Sequence, residues 1–284
     1  MTRHTYARDD YVAALGTAIT ALSWSTAVVG REIADGGGHD AIGSYPMAII
    51  RGDVSEGLEE LRAHGLVSVV VVPDPLAHHI DAFREHFDRV TAFKTHLLID
   101  GPFEPSAHHR ERIRRGHRRC RIEQGKLARW LPDWCTLYAG LVESRGVTGM
   151  AAFSKGYFDV LAKYDDITAF AAFVGEDMAG MTLWFANDGI VYNHLTACNE
   201  AGYRNGAAFA LYDAAITHFG DQGVINLGGG PGAFGAEDSG LFQFKQGFAN
   251  SKTAAHVCGA VLDREAYDRL AADKPKAFFP AYRG

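Results

Sequence analysis

The feature that most limits how this chain can fold is a run of glycines at the end of a short apolar segment. Residues 223–227 read as a strand, and Gly228-Gly229-Gly230-Pro231-Gly232 follows at once, a turn that can be neither helix nor strand interior. Asp238-Ser239 then offers an N-cap for a short segment carrying Leu241, Phe242, Phe244, Lys245 and Phe248. One lysine thus stands among four large apolar side chains. Either Lys245 runs its stem along the core and reaches solvent, or it is a fixed cation beside a glycine-walled cleft, placed to stabilise a developing oxyanion. Spacing leaves both open.

The chain of 284 residues is long enough for one large domain or two smaller ones, and 47% apolar with 22% charged residues is ordinary for a soluble globular protein. A formal charge of -6 argues against wholesale nucleic-acid binding and leaves local patches open. Cys120, Cys135, Cys198 and Cys258 lie far apart with no CxxC pair, so they read as free thiols and no metal site is expected. The first residues lack a signal-peptide pattern and no apolar window is long enough to span a membrane; a cytoplasmic location is expected.

Taken in order, residues 9–20 show helical periodicity, and Trp24 is read either as pocket-lining or as core. Strands are expected over 46–51, 66–72 and 90–99, alternating with helices over 56–64 and 76–87, which implies a mixed α/β unit. From Ser106 the composition shifts: residues 108–121 hold seven arginines in fourteen positions. Arg110, Arg114, Arg118 and Arg121 share one helical face, and Arg112, Arg115 and Arg119 another. The segment is either a solvated helix with pairs to Glu111 and Glu123, or a stripe for a polyanion such as RNA or nucleotide phosphates. Helices are expected over 133–143, 155–162 and 209–220, and three strands over 168–174, 178–186 and 189–197, joined by Gly175-Glu-Asp177 and Asn187-Asp-Gly189. A strand over 252–262 leads into a last helix. The composition shift suggests two parts, 1–104 and 105–284.

The sequence of hairpins, strand, helix, strand, helix and strand over about 130–262 resembles the core of the GNAT acyltransferases. More specific are Tyr192-Asn-His-Leu-Thr-Ala197, Asn205-Gly-Ala207 opening a helix, Leu227-Gly-Gly-Gly230, and Leu241-Phe-Gln-Phe-Lys-Gln-Gly-Phe248. These are similar to the FemABX-related branch of that superfamily, and the preceding Arg-rich helix fits it too. The resemblance implies an α/β mixed-sheet fold, with a GNAT-like core and a second, shortened GNAT-like subdomain toward the N-terminus. It also implies aminoacyl transfer from aminoacyl-tRNA to an amine of a small peptide or nucleotide-linked acceptor, with no other cofactor.

In that branch the lysine of the FK motif stabilises the oxyanion, and the matching position here is Lys245. His194 is the candidate base, against a plain strand histidine. Gly228, Gly229 and Gly230 would let backbone approach substrate, with Tyr192, Phe242 and Phe244 as apolar walls. Arg112, Arg115 and Arg119, or the opposite stripe, together with Arg204, would meet donor phosphates. Acetyl-CoA is the competing donor. GNAT acetyltransferases hold its diphosphate on a Q/R-x-x-G-x-G/A loop, and Tyr203-Arg-Asn-Gly206-Ala-Ala208 matches that loop except at its leading position. A third reading is a GNAT-like binding module without turnover. A dinucleotide site is a weaker reading still, since the glycine run lacks the G-x-G-x-x-G order and the downstream helix that such a site requires.

Overall fold

The computed structural model describes residues 3–231, 236–275 and 277–284. The elements, in chain order, begin with helix α1 (Asp9–Leu15), strands β1 (Thr17–Ala21), β2 (Thr26–Glu32) and β3 (His39–Ile42), α2 (Val54–Ala63), β4 (Leu66–Val71) and α3 (Ile80–Arg84). Then follow β5 (Arg89–Ile99), α4 (Ala107–Arg119), β6 (Arg121–Lys126), α5 (Leu131–Arg145), α6 (Lys155–Leu161), β7 (Thr168–Val174), β8 (Asp177–Asn187) and β9 (Ile190–Cys198). The chain closes with α7 (Glu200–Asn205), α8 (Ala207–Phe219), β10 (Val224–Gly228), α9 (Gly240–Gln246), β11 (Ser251–Val261) and α10 (Arg264–Ala271). Two expectations fail locally. The first helix ends at Gly16, and the apolar residues beyond it pair as β1 with β2 instead of continuing a helix. Residues 46–51 form no strand; Ala48 makes one isolated bridge to Pro73.

Two compact units result, one of residues 1–94 with 254–284, the other of residues 95–253. The division suggested after residue 104 does not coincide with them. The reason is β11, which pairs antiparallel with β4 over Cys258↔Val71 to Val261↔Ser68 and so gives the C-terminal segment to the first unit. In that unit β1, β2 and β3 run antiparallel and β3 pairs parallel with β4. Trp24, Leu61, Val69, Phe83 and Cys258 belong to its core.

In the second unit the strand order is β5-β10-β9-β8-β7-β6. The expected hairpins are present: β7 and β8 turn at Gly175, and β8 and β9 turn at Asp188 and Gly189, all three with positive φ. One face of this sheet buries Trp184, Val191, Ile225 and Leu227 against Leu211, Tyr212, Ala215 and Phe219 of α8 and Phe242 and Phe248 around α9. The opposite face carries Phe185 and Tyr192, with Trp134 of α5 and Tyr157 and Phe158 of α6 also fully buried. Strand alternation separates the two sets.

Two irregularities position the site. β9 and β10 pair in parallel only from Ile190↔Val224 to Tyr192↔Asn226; β9 then runs on to Cys198 while β10 ends at Gly228, so the strands part. On its other side β9 is bulged: Leu195 opposes Leu183 and Asn193 opposes Trp184, which leaves His194 as the extra residue.

Candidate active site

The site is built around the end of β10. Its last residue, Gly228, has φ 71°, a left-handed conformation that glycine adopts without the steric penalty of a side chain. The Gly228 N–H donates to Asn226 Oδ1 at 2.8 Å, a local turn that ends the strand. Lys245 approaches from α9, and its Nζ donates to the Gly229 carbonyl at 3.1 Å. A Cβ on Gly228 would stand 3.4 Å from that Nζ. The ammonium is therefore held against glycine backbone with the residue only 9% exposed. The solvent-reaching reading of Lys245 does not fit a side chain buried to this extent.

Helix α9 is held so that this reach is fixed. Ser239 caps it by accepting from the Phe242 N–H at 3.1 Å. At its other end His109 of α4 pairs through Nε2 with the Phe244 carbonyl at 2.8 Å and through Nδ1 with Ser106 Oγ at 3.1 Å, and burial pushes its pKa down. The neutral ring, with the proton on Nε2, suits both contacts. Any side chain at Gly247 would collide with that imidazole.

The expected apolar walls sort differently. Phe242 is buried in the α8-side core, and Phe244 packs edge-on against Phe209 and Tyr212, so both build the scaffold of α9. Tyr192 lies on the opposite face of the sheet, stacked on Phe185 at 5.0 Å. Trp24 belongs to the other unit; it is fully buried and donates to the Val54 carbonyl at 3.1 Å, which makes it core and not a pocket wall. Gly229 and Gly230 are present at the turn, while Gly232 to Gly235 lie outside the described residues.

His194, the bulged residue, shares the Tyr192 face. Its Nε2 is 2.7 Å from the Tyr157 hydroxyl, and burial lowers its pKa to about 3. Such an imidazole is neutral at any physiological pH and holds a transferred proton weakly, a poor match to a general base. The Tyr157 partnership was not visible in sequence, since the two residues meet only because the bulge turns His194 toward α6.

The arginines of α4 also sort by environment. Arg110 pairs with Glu104, and Arg114 and Arg118 with Glu111; Arg121, expected on the same helical face, lies beyond α4 in β6 and pairs with Glu123. Arg112, Arg115 and Arg119 make no ion pair among the described residues. Arg112 lies over the Phe209 ring at 6.0 Å, and Arg115 donates to the Arg204 carbonyl at 3.5 Å while its buried Nε has no partner among the described residues. Arg204 itself pairs with Glu200 at 3.6 Å. The unpaired stripe is the one whose charge is left uncompensated, and it adjoins the α7–α8 junction, where a Cβ on Gly116 would stand 2.7 Å from the Gly206 carbonyl.

That junction is the segment aligned with the diphosphate loop. There α7 ends at the left-handed Gly206 and α8 begins: the Gly202 N–H donates to Asn199 Oδ1, Tyr203 N–H to the Asn199 carbonyl, Gly206 N–H to the Tyr203 carbonyl, and Phe209 N–H to the Gly206 carbonyl. These four bonds do not include the N–H groups of Ala207 and Ala208 that open α8. A cavity of about 670 Å³ lies nearby, lined among others by Asp133, Arg145, Asp177, Glu200 and Tyr203, and its carboxylates outnumber its one arginine.

No family model matches the sequence, and no curated protein matches it. Among solved structures the fold is shared with FemX, at 9% identity over 92% of both chains and a TM-score of 0.63. It is shared as well with the L-PGS of Bacillus licheniformis, at 13% identity over 88% of this chain and 86% of that one, TM-score 0.64. A third is the C-terminal DUF2156 domain of a candidate lysylphosphatidylglycerol synthetase from Agrobacterium fabrum, at 13% identity over 94% and 91%, TM-score 0.61. The mixed α/β fold expected from the family resemblance is the fold observed.

Proposed function

We propose that this chain, which shares the FemX fold, is an acyltransferase that moves an amino acid from aminoacyl-tRNA to the amine of a peptide or cell-wall-precursor-type acceptor. The observation that carries this reading is the Lys245 ammonium, held at 3.1 Å from the Gly229 carbonyl beside the left-handed Gly228. The neutral acceptor amine attacks the ester carbonyl carbon, and the π electrons move onto the carbonyl oxygen. A preorganised ammonium in a partly desolvated site stabilises that oxygen more in the transition state than in the ground state. The C–O bond to the ribose then breaks, the leaving oxygen takes a proton, and the amide remains. With His194 neutral and weakly basic, the amine proton passes by way of a ribose hydroxyl of the donor.

The donor is read from charge and from the α7–α8 junction. Arg112, Arg115 and Arg119 supply a stripe for a phosphate backbone, whereas Tyr203 at the junction replaces the leading Gln or Arg of the diphosphate loop. Both features favour tRNA over acetyl-CoA. Titration of the purified protein with bulk aminoacylated tRNA and with acetyl-CoA, across salt, tests this. Salt-sensitive tRNA binding without a CoA signal is expected. CoA binding with indifference to tRNA would make the protein an acetyltransferase, and silence toward both would make it a binding module.

A further inference from the structure

Asn226 is the residue that neither its strand nor its core explains. It sits in the middle of the apolar segment Val224–Leu227, is 2% exposed, and its Nδ2 has no hydrogen-bond partner among the described residues. A buried donor left unpaired carries its full desolvation penalty, so a residue retained in that state calls for a reason. The amide orientation is fixed, because Oδ1 accepts from the Gly228 N–H and the NH₂ group is therefore the free end. Ile225 and Leu227 face the α8-side core, which turns Asn226 to the opposite face. That is the face of Tyr192, its parallel partner and the last residue before β9 and β10 separate. The side chain leans toward Gly228, the same glycine that the Lys245 ammonium approaches from α9.

We infer that Asn226 is a catalytic residue, its Nδ2–H the second donor to the carbonyl oxygen of the acyl group where β9 and β10 part, beside the Lys245 ammonium. This rests on the acyl-transfer reading above. As the amine nitrogen bonds to the carbonyl carbon and the oxygen gains the π pair, the oxygen accepts from the ammonium on one side of Gly228 and from the amide on the other. When the C–O bond to the ribose breaks, the pair returns and both donors release the product carbonyl. The unpaired NH₂ is then a group kept ready for a charge that exists only during the reaction.

The test uses the full chain with bulk aminoacyl-tRNA as donor and hydroxylamine as a generic amine, following hydroxamate formed above the uncatalysed rate. Two variants are compared with wild type. Asn226→Asp keeps an oxygen for the Gly228 N–H, and Asn226→Ala adds no charge; the one thing both lack is the N–H donor. Both are expected to lose about 100- to 1000-fold in kcat per folded molecule, with KM for the charged tRNA within about threefold. Wild-type rates in either variant overturn the assignment and leave Asn226 as a cap for Gly228. A loss seen only in KM or only with unfolding overturns it too. A wild-type protein that forms no hydroxamate above background, while folded, overturns the acyl-transfer reading itself and this inference with it.

Discussion

Asp40 in the N-terminal unit and Asn226 in the central unit are both polar side chains buried in strands, and their surroundings differ. Asp40, with no exposed side-chain surface, accepts from Arg31 Nε at 3.0 Å, from Arg283 Nε at 2.7 Å and from the Tyr282 hydroxyl at 3.1 Å. Every donor that faces it is used, and the result ties the C-terminal segment to β2 and β3. Asn226 satisfies one end of its amide at the Gly228 N–H, and its Nδ2 has no partner among the described residues. The first arrangement buries polarity to hold a structure together; the second gives up stability to keep a donor waiting. Between these two residues, the completeness of hydrogen-bond pairing is what separates the structural role from the proposed catalytic one.

That contrast can be broken, most strongly at Asp40. Asp40→Ala removes the anion that two partly exposed guanidinium groups share. Because those groups can turn to water, the expected loss lies at the lower end for a buried pair, about 3 kcal/mol by urea denaturation. The rate per folded molecule should not change. A drop in rate without a drop in stability would reverse the roles assigned to the two regions.

The two faces of α4 sharpen the same contrast at the surface. Reversing Arg112, Arg115 and Arg119 to Glu should weaken binding of charged tRNA and reduce the slope of log K against log salt by about 2, at roughly 0.7–0.9 for each phosphate no longer neutralised. Reversing Arg110, Arg114 and Arg118, which already face Glu104 and Glu111, should change the slope by less than about 1. Equal effects from both stripes would dissolve the distinction.

His194 gives a smaller effect with a definite sign. Its folded pKa of about 3 lies below the 6.5 of the unfolded side chain. The unfolded chain therefore takes up the proton first, and the stability from a neutral His194 is complete above pH 6.5. It is lost as pH falls toward 3, by about 1.4 kcal/mol per pH unit. His78 in the other unit, depressed to about 4, acts in the same direction. His194→Gln should remove one proton's share of the slope between pH 6 and 4, measured by urea midpoints; an unaltered slope would mean that His194 is not buried neutral. Smallest is Gly228→Ala, expected to cost about 1 kcal/mol for a left-handed alanine, with its Cβ crowding Lys245.

How much of this was legible in sequence depends on whether the signal was local. The glycine turn, the Ser239 cap and the hairpin at Asp188 and Gly189 were readable because each is encoded within a few residues. Lys245 was readable as an anomaly, one cation among four large apolar residues. The choice between arginine stripes was not, because it depends on Glu104 and on packing against Phe209 and Arg204. Asn226 read as an ordinary strand residue, and only strand register shows which face it takes. His194 read as a base because sequence gives no burial, and Tyr157 reaches it only through a bulge. The pairing of β11 with β4 is likewise a long-range fact, so the composition break near residue 104 could not find the unit boundary.

The most direct test of the central claim is the hydroxylamine-dependent release of amino acid from charged tRNA by wild type and by Lys245→Met. The account predicts a loss of about 2–4 kcal/mol of transition-state stabilisation in the variant, seen in kcat with tRNA binding and thermal midpoint preserved. Turnover in Lys245→Met within a few-fold of wild type would contradict it.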